Sequence, residues 1–445
     1  MKRPLIYYSI SVFLGAFIII VFEYNIFLGA AVAASFFSVI FFTLSKKEVI
    51  ILCLFFAVGG FSFYNYYNIS LPNEGEFRLV EKRRRYCIAH YKGRIVYLSG
   101  NLKELSNGEK VRFYGKFKKE ADYEKGSVGI YNVDFYKNPS KDFVFKLYNL
   151  KEKLFEKYSK LLGKDKASLI MSICYGETKY LSFHDKENFK ELGISHIISV
   201  SGFHMALVYS FLQKIFGIEI GLILSFMYLL FTGAKAATIR AYIMILILKL
   251  SKVVYRNYDS LSALALSALI LLIIRPYYIT NIGFALSFLA TLGIILYNKK
   301  IQKALYKLPK KINESLSITL SSQVFSMPYV MCALNEISIF FIPANLILIP
   351  LYSLLIFAGN IGVVLINIPI LKNIAISTLY SLTTTIQGAN YLLLKISPPV
   401  YKYNYFYGIA LLSIVMSYIF YKHEYKQVKY FPLVLLSFII IYNMI

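Results

Sequence analysis

Residues 5–22 read LIYYSISVFLGAFIIIVF, eighteen positions without one charged side chain. At 1.5 Å per helical residue such a run crosses nearly the whole ~30 Å hydrocarbon core of a bilayer. Two more runs follow closely, at 26–44 and 49–64. The whole 445-residue chain is 57 % hydrophobic with a mean hydropathy of +0.56. A soluble protein would have no core large enough to hide that much apolar surface. The fold class is therefore a polytopic α-helical membrane protein, and residues 5–22 are a retained first helix, too long and too closely followed by further spans for a cleaved signal.

Apolar runs resume at 193–212, 217–232, 236–249, 260–274, 281–297, 315–334, 339–366, 374–394, 406–421 and 430–444. About 11 spans are expected, because the proline- and glycine-broken runs can be re-entrant. Charge sets the topology. Lys2, Arg3, Lys46 and Lys47 flank the first runs on one side, and the stretches 249–256 and 299–311 are also basic. The positive-inside rule places all of them in the cytoplasm, with the segment after residue 65 outside. A multi-pass membrane location is expected.

The formal net charge is +25, and residues 193–445 supply much of it, with 19 Lys/Arg against 5 Asp/Glu. Basic loops mainly report topology. The soluble stretch 72–145 is also basic, 16 against 10, and attraction to a polyanion is the second explanation it needs.

Within 72–140 the pattern switches to short alternating runs, FRLVEK, YCIAHY, RIVYLS, KVRFYGKFK and SVGIYNVDF. Lys92-Gly93, Asn107-Gly108 and Lys125-Gly126 separate them as turns. Five short strands suit a small extracytoplasmic β-barrel of OB type, an inserted domain. Residues 143–162 then carry Leu147, Leu150, Leu154, Tyr158 and Leu161 on one helical face and Lys/Glu on the other. That helix either lies on the outer membrane surface or packs on the protein. Four regions follow: N-terminal membrane helices at 1–66, the OB-like domain at 72–140, amphipathic and linker helices at 143–192, and a membrane channel domain at 193–445.

The segment 193–204, GISHIISVSGFH, places two histidines and three serines where hydrocarbon is expected. Polar groups at membrane depth need a reason. His196, Ser199, Ser201, Gly202 and His204 either line a wet cavity or bond to neighbouring helices as packing glue. Arg240 is a second intramembrane charge, which either snorkels to the surface with Lys235 or faces the same cavity and attracts phosphates. An intramembrane serine hydrolase built on Ser201 would need a histidine base from another helix. After His204 the next histidine is His423, in a basic loop, so His196 or His204 would have to serve from the same helix, an awkward geometry. Nucleotide-hydrolysis and metal-cluster motifs are absent from the sequence, and the chain is expected not to be an enzyme and to need no cofactor. The four cysteines are scattered; a Cys87–Cys174 disulfide is possible only if both face an oxidising compartment.

GISHIISVSGFHMALV (193–208) is similar to the S-G-x-H segment of the ComEC family of competence proteins, and FTGAKAATIRAYIM (231–244) and NIGFALSF (281–288) continue the match. The chain resembles that family over residues 165–366, with His196, Ser199, Ser201, Gly202, His204, Arg240, Gly283, Phe284, Leu286 and Ser287 at family positions. The resemblance implies an inner-membrane channel that conducts single-stranded DNA into the cytoplasm during natural transformation while the other strand is degraded. Many members carry a C-terminal metallo-β-lactamase-like domain, proposed as the strand-degrading nuclease. The sequence to residue 445 carries none, so the likeness is to a short form, and a separate nuclease is expected. An extracytoplasmic DNA receptor and a cytoplasmic ATP-driven motor are the other expected partners, besides membrane lipids. The competing reading is a transporter of a smaller anionic or lipid-linked substrate.

In the external segment, Arg83, Arg84 and Arg85 adjoin Tyr86, and Lys116, Lys118 and Lys119 surround Phe117. Basic residues beside aromatics suit single-strand binding, where base stacking contributes ~1–3 kcal/mol per base. Tyr91, Tyr97, Phe113 and Tyr114 are interleaved with them; strand alternation demands that about half of these aromatics are barrel core, and core is the expectation for most. The arginine triplet is the principal expected DNA contact.

Overall fold

The three leading apolar runs form helices α1 (Pro4–Tyr24), α2 (Ile26–Thr43) and α3 (Lys46–Tyr67), in a computed structural model that describes residues 3–83, 86–334, 336–402 and 405–422. Arg84, Arg85 and the run 430–444 lie outside the described residues. Five strands follow: β1 (Glu74–Lys82), β2 (Cys87–Tyr91), β3 (Arg94–Ser99), β4 (Lys110–Lys118) and β5 (Ser127–Ser140). The remaining helices are α4 (Phe143–Leu162), α5 (Lys164–Tyr175), α6 (Phe183–Glu191), α7 (Ser195–Ile198), α8 (Gly202–Phe231), α9 (Ala236–Val253), α10 (Ser260–Ile274), α11 (Ile282–Ala304), α12 (Lys310–Leu334), α13 (Phe341–Leu365), α14 (Pro369–Ile396) and α15 (Tyr405–Lys422). Six of the described helices, α1, α2, α3, α8, α11 and α13, are long and apolar enough to cross a membrane.

The chain divides into two compact units. The first takes Met1–Lys157 with Asn257–Phe284, and the second takes Tyr158–Arg256 and the chain from Ala285 onward.

In the first unit the strands close into a barrel of order β1-β2-β3-β5-β4, with β4 returning to β1. Only β3–β5 pairs in parallel. Alternation does what the period-2 pattern requires: Phe77, Leu79, Ala89, Val96, Leu98, Val111, Phe113, Val128 and Tyr131 fill the interior. Helices α1 and α3 pack closely through small residues, a Cβ on Gly15 falling 2.0 Å from the Phe56 carbonyl oxygen. Arg94 at the start of β3 holds the barrel to α3, donating from Nε to the Tyr66 carbonyl (3.0 Å) and from Nη2 to the Asn65 carbonyl (2.9 Å). A guanidinium there answers carbonyls that a helix C-terminus leaves open.

Helix α4 is amphipathic, and its Leu154, Tyr158 and Leu162 are buried in the protein. Leu150, on the same face, is exposed. Asp142 caps the helix, its Oδ1 accepting from Phe145 N–H at 3.1 Å, and Arg78 Nη1 donates to the same carboxylate at 2.8 Å. All four cysteines are free, so Cys87 and Cys174 do not pair.

The second unit contains α8, which is not one straight rod. Gly217 stands at φ +82°, ψ −179°, a conformation almost confined to glycine. Beyond it Gly221 returns against Gln213, where an added Cβ would lie 3.1 Å from the Gln213 backbone. Residues eight apart on a straight helix are ~12 Å distant, so the chain reverses here into two arms. The separate apolar runs 193–212 and 217–232 reflect this break.

Candidate functional site

Ser201 is the N-cap of α8, in extended backbone at φ −106° and ψ 176°. Its N–H donates to His204 Nδ1 at 3.2 Å, and its Oγ lies 2.9 Å from the same nitrogen. This is a capping box in which histidine fills the place usually held by Glu or Gln. Because Nδ1 accepts, the imidazole carries its proton on Nε2. That nitrogen is buried and closes no well-formed hydrogen bond. The serine and histidine are thus within reach of one another on one helix end, closer than sequence spacing led us to expect. The Nδ1 lone pair already serves the backbone N–H, which makes the pair a helix cap first.

Arg240, in the second turn of α9, lies against this cap. A Cβ on Gly202 would fall 2.3 Å from Arg240 Nη2, so only glycine at the first position of α8 lets the guanidinium come so close. Nη1 donates to the carbonyl of Ser287 in α11 at 2.7 Å, and the guanidinium carbon lies 5.9 Å from the Phe288 ring centroid. The side chain is buried, its Nε has no partner, and among the described residues it has no carboxylate partner. It does not snorkel.

Three separate stretches therefore converge: SVSGFH, TIRAY and the ALSF of α11. Nearby, α5 ends in Gly176, whose carbonyl accepts from Lys235 Nζ at 3.3 Å. Lys235 is in turn the N-cap residue of α9. A Cβ on Gly176 would lie 3.1 Å from Val200 Cγ2. Several helices start or stop within this one small region.

The electrostatics have one sign. A helix N-terminus carries about half a positive charge and open N–H donors, and a buried guanidinium sits beside it. A glutamate at the cap position would have neutralised part of this field; the neutral imidazole of His204 caps without doing so. The arrangement can receive an oxyanion. The first arm of α8, 202–216, is ~22 Å long, shorter than the ~30 Å hydrocarbon core.

The other expected positions scatter more widely. His196 lies in the one-turn helix α7 with an exposed side chain, and Ser199 ends that helix half-buried. Asn281 caps α11, accepting from Phe284 N–H at 2.9 Å. Among the described residues, no group of three or more His, Cys, Asp or Glu could hold a metal ion.

On the barrel, Arg83 is engaged locally, with Glu81 at 3.3 Å and donating to Tyr86 Oη at 3.1 Å. Lys116 is exposed, Lys118 pairs with Glu120 at 3.0 Å, and Lys119 donates to Asn68 Oδ1 at 2.7 Å. Tyr91 and Phe113 are core as expected. Tyr114 is not: it stacks on Phe135 at 4.5 Å and 9°, with Lys137 Nζ 5.7 Å from the Phe135 centroid. Phe135 is 50 % exposed. Neither Phe135 nor Lys137 stood out in sequence. Strand parity relative to Val133 was the available signal, but the β-bulge beside Gly115 sets which side chains meet.

An apolar multi-helix chain with an inserted closed barrel defines a multi-pass membrane protein. This one belongs to the competence protein family, whose family model matches residues 173–424. It is 26 % identical over 251 residues to ComE operon protein 3 of Bacillus subtilis (strain 168), covering 54 % of this chain and 32 % of that protein. An uncharacterized protein of Aquifex aeolicus (strain VF5) is 24 % identical over 309 residues, covering 66 % and 70 %. Uncharacterized protein MG316 of Mycoplasma genitalium is 29 % identical over 176 residues, covering 37 % and 43 %. The match thus spans about a third of the Bacillus protein's length. No solved structure matches significantly.

Proposed function

We propose that the protein is a DNA-uptake channel that passes a single strand across the plasma membrane, with the barrel outside. The observation that carries this reading is Arg240, a buried guanidinium without a carboxylate partner at the start of α8. Such a charge inside hydrocarbon is costly unless it meets an anion or a wet cavity, and a phosphodiester supplies the anion. The barrel's strand order supports an OB-like domain, and the Tyr114–Phe135–Lys137 patch supports base stacking on it. The chain itself catalyses nothing in this reading; a motor, a receptor and a nuclease are separate proteins.

The test uses a deletion strain of a transformable host fed labelled duplex DNA. Wild-type chain delivers single-stranded label to the cytoplasm. Arg240→Leu leaves DNase-protected label outside the inner membrane. His204→Gln, which keeps a capping side chain, delivers as the wild type does. Full delivery by Arg240→Leu overturns the reading and leaves a small-anion transporter as the better account.

A further inference from the structure

A cleft of about 540 Å³ opens on the side of the barrel formed by β1, β2 and β4, and Glu76, Arg78, His90, Lys92 and Lys110 are among the residues that line it. That volume lies in the range of small-ligand sites. Along the outer side of β4 the cleft residue Lys110 is followed by Arg112 and then Tyr114, which stacks on Phe135.

Two of its cations already have partners. Lys110 pairs with Glu76 at 2.5 Å, and Arg78 forks onto Asp142. Lys92 has no carboxylate partner among the described residues; its ammonium lies 5.5 Å from the Tyr91 ring centroid. Lys92 is also one of the three non-glycine residues at positive φ among the described residues, at +46°, followed by Gly93 at +83°. Hairpin turns of this kind favour Asn, Asp or Gly at the first position. A lysine is held there against its backbone preference, and such strain gathers at functional positions.

The depth of the cleft follows from its neighbours. Two residues after Lys92, Arg94 closes the C-terminal carbonyls of α3, a helix of membrane-span length. On the other side Arg275, which caps the apolar helix α10, lies near His90. Desolvation first, then the Arg275 and Arg78 guanidiniums, hold the His90 imidazole down at about 4, although its edge is open to the cleft. His90 is therefore uncharged at neutral pH and adds a hydrogen-bonding group without charge. By length and composition α3 can span a bilayer, and its C-terminal end, held by Arg94, adjoins the cleft.

We propose that this cleft binds the phosphate of an anionic phospholipid headgroup from the leaflet next to the barrel, with Lys92 as its principal contact. The site is independent of the DNA-channel reading and would orient the barrel on the bilayer.

The full chain is reconstituted in phosphatidylcholine nanodiscs containing a minor fraction of phosphatidylglycerol, then released into mild detergent for native mass spectrometry. Wild-type chain retains phosphatidylglycerol over phosphatidylcholine. Lys92→Gly removes the ammonium while suiting the backbone, and retention falls about fivefold, the share of one basic residue at an anionic surface. Lys118→Ala, at the opposite end of β4 from Lys110 and paired with Glu120, leaves retention unchanged. Equal retention by Lys92→Gly overturns the proposal. So does displacement of the lipid by millimolar inorganic phosphate, which makes free phosphate the ligand, or by a single-stranded oligonucleotide, which makes the strand the ligand.

Discussion

Gly202→Ala tests whether the three converging stretches are energetically one site. The added Cβ would lie 2.3 Å from Arg240 Nη2 and 3.6 Å from its Cζ. Ordinary separations begin near ~3.5 Å, so the guanidinium must withdraw by about 1 Å. Its Nη1 bond to the Ser287 carbonyl, now 2.7 Å, then reaches the distance where hydrogen bonds fail. A bond to a charged group is worth about 1.5–3 kcal/mol. Alanine returns about 0.5–1 kcal/mol over glycine within a helix. Net destabilisation of about 1–2 kcal/mol is expected in the wild-type background. With Arg240→Ala already present only the 3.3 Å approach to Ala241 Cβ remains, and the same change stabilises by up to about 0.5–1 kcal/mol. Thermal unfolding of the four detergent-purified proteins gives the double-mutant cycle. A coupling energy of about 1.5–3 kcal/mol is expected, and additivity within ~0.5 kcal/mol would refute the reasoning.

Three further outcomes follow from other positions in the fold. The Arg78 guanidinium holds the Asp142 carboxyl well below the usual carboxylate range. Its contribution is therefore complete above the unfolded value near ~4 and fades as pH falls through the depressed folded one. Asp142→Asn keeps the α4 cap and costs about 0.5–1 kcal/mol at pH 7 for a partly exposed pair, a difference that shrinks in acid; Asp142→Ala adds the loss of the cap, about 1 kcal/mol, both read by denaturation of the full chain. Gly217→Ala forces a side chain into a region nearly reserved for glycine and lowers stability by about 1–3 kcal/mol. Gly388→Ala, in α14 where a Cβ meets open space, raises stability slightly in the same thermal assay.

The positions legible in sequence were those whose signal is local. Strand alternation put Tyr91 and Phe113 in the barrel interior, because a strand turns every second side chain the same way. Lys92-Gly93, Asn107-Gly108 and Lys125-Gly126 marked turns, and each of these glycines has positive φ. The strand edges shifted by at most a few residues. The reverse was true of the candidate site. His204 looked like a polar group awaiting a cavity, and it is the cap of a helix end. That role depends on the exact start of α8, which periodicity cannot set. Tyr114 faces outward, as alternation beside the buried Phe113 requires, and the register next to the Gly115 bulge pairs it with Phe135.

The sequence by itself determined that this is a multi-helix membrane protein with an inserted five-stranded barrel. Apolar length and period-two alternation are properties of neighbouring residues, and hydrocarbon or a barrel core enforces them whatever the rest of the chain does. The meeting of Gly202, Arg240 and Ser287 was decided only by the tertiary structure. These residues are 38 and 47 positions apart, and each alone fits an ordinary helix. Their contact depends on α8 reversing at Gly217, on the missing Cβ at Gly202 and on α11 presenting a carbonyl at the right height. Long-range packing sets those conditions, and no local pattern encodes them.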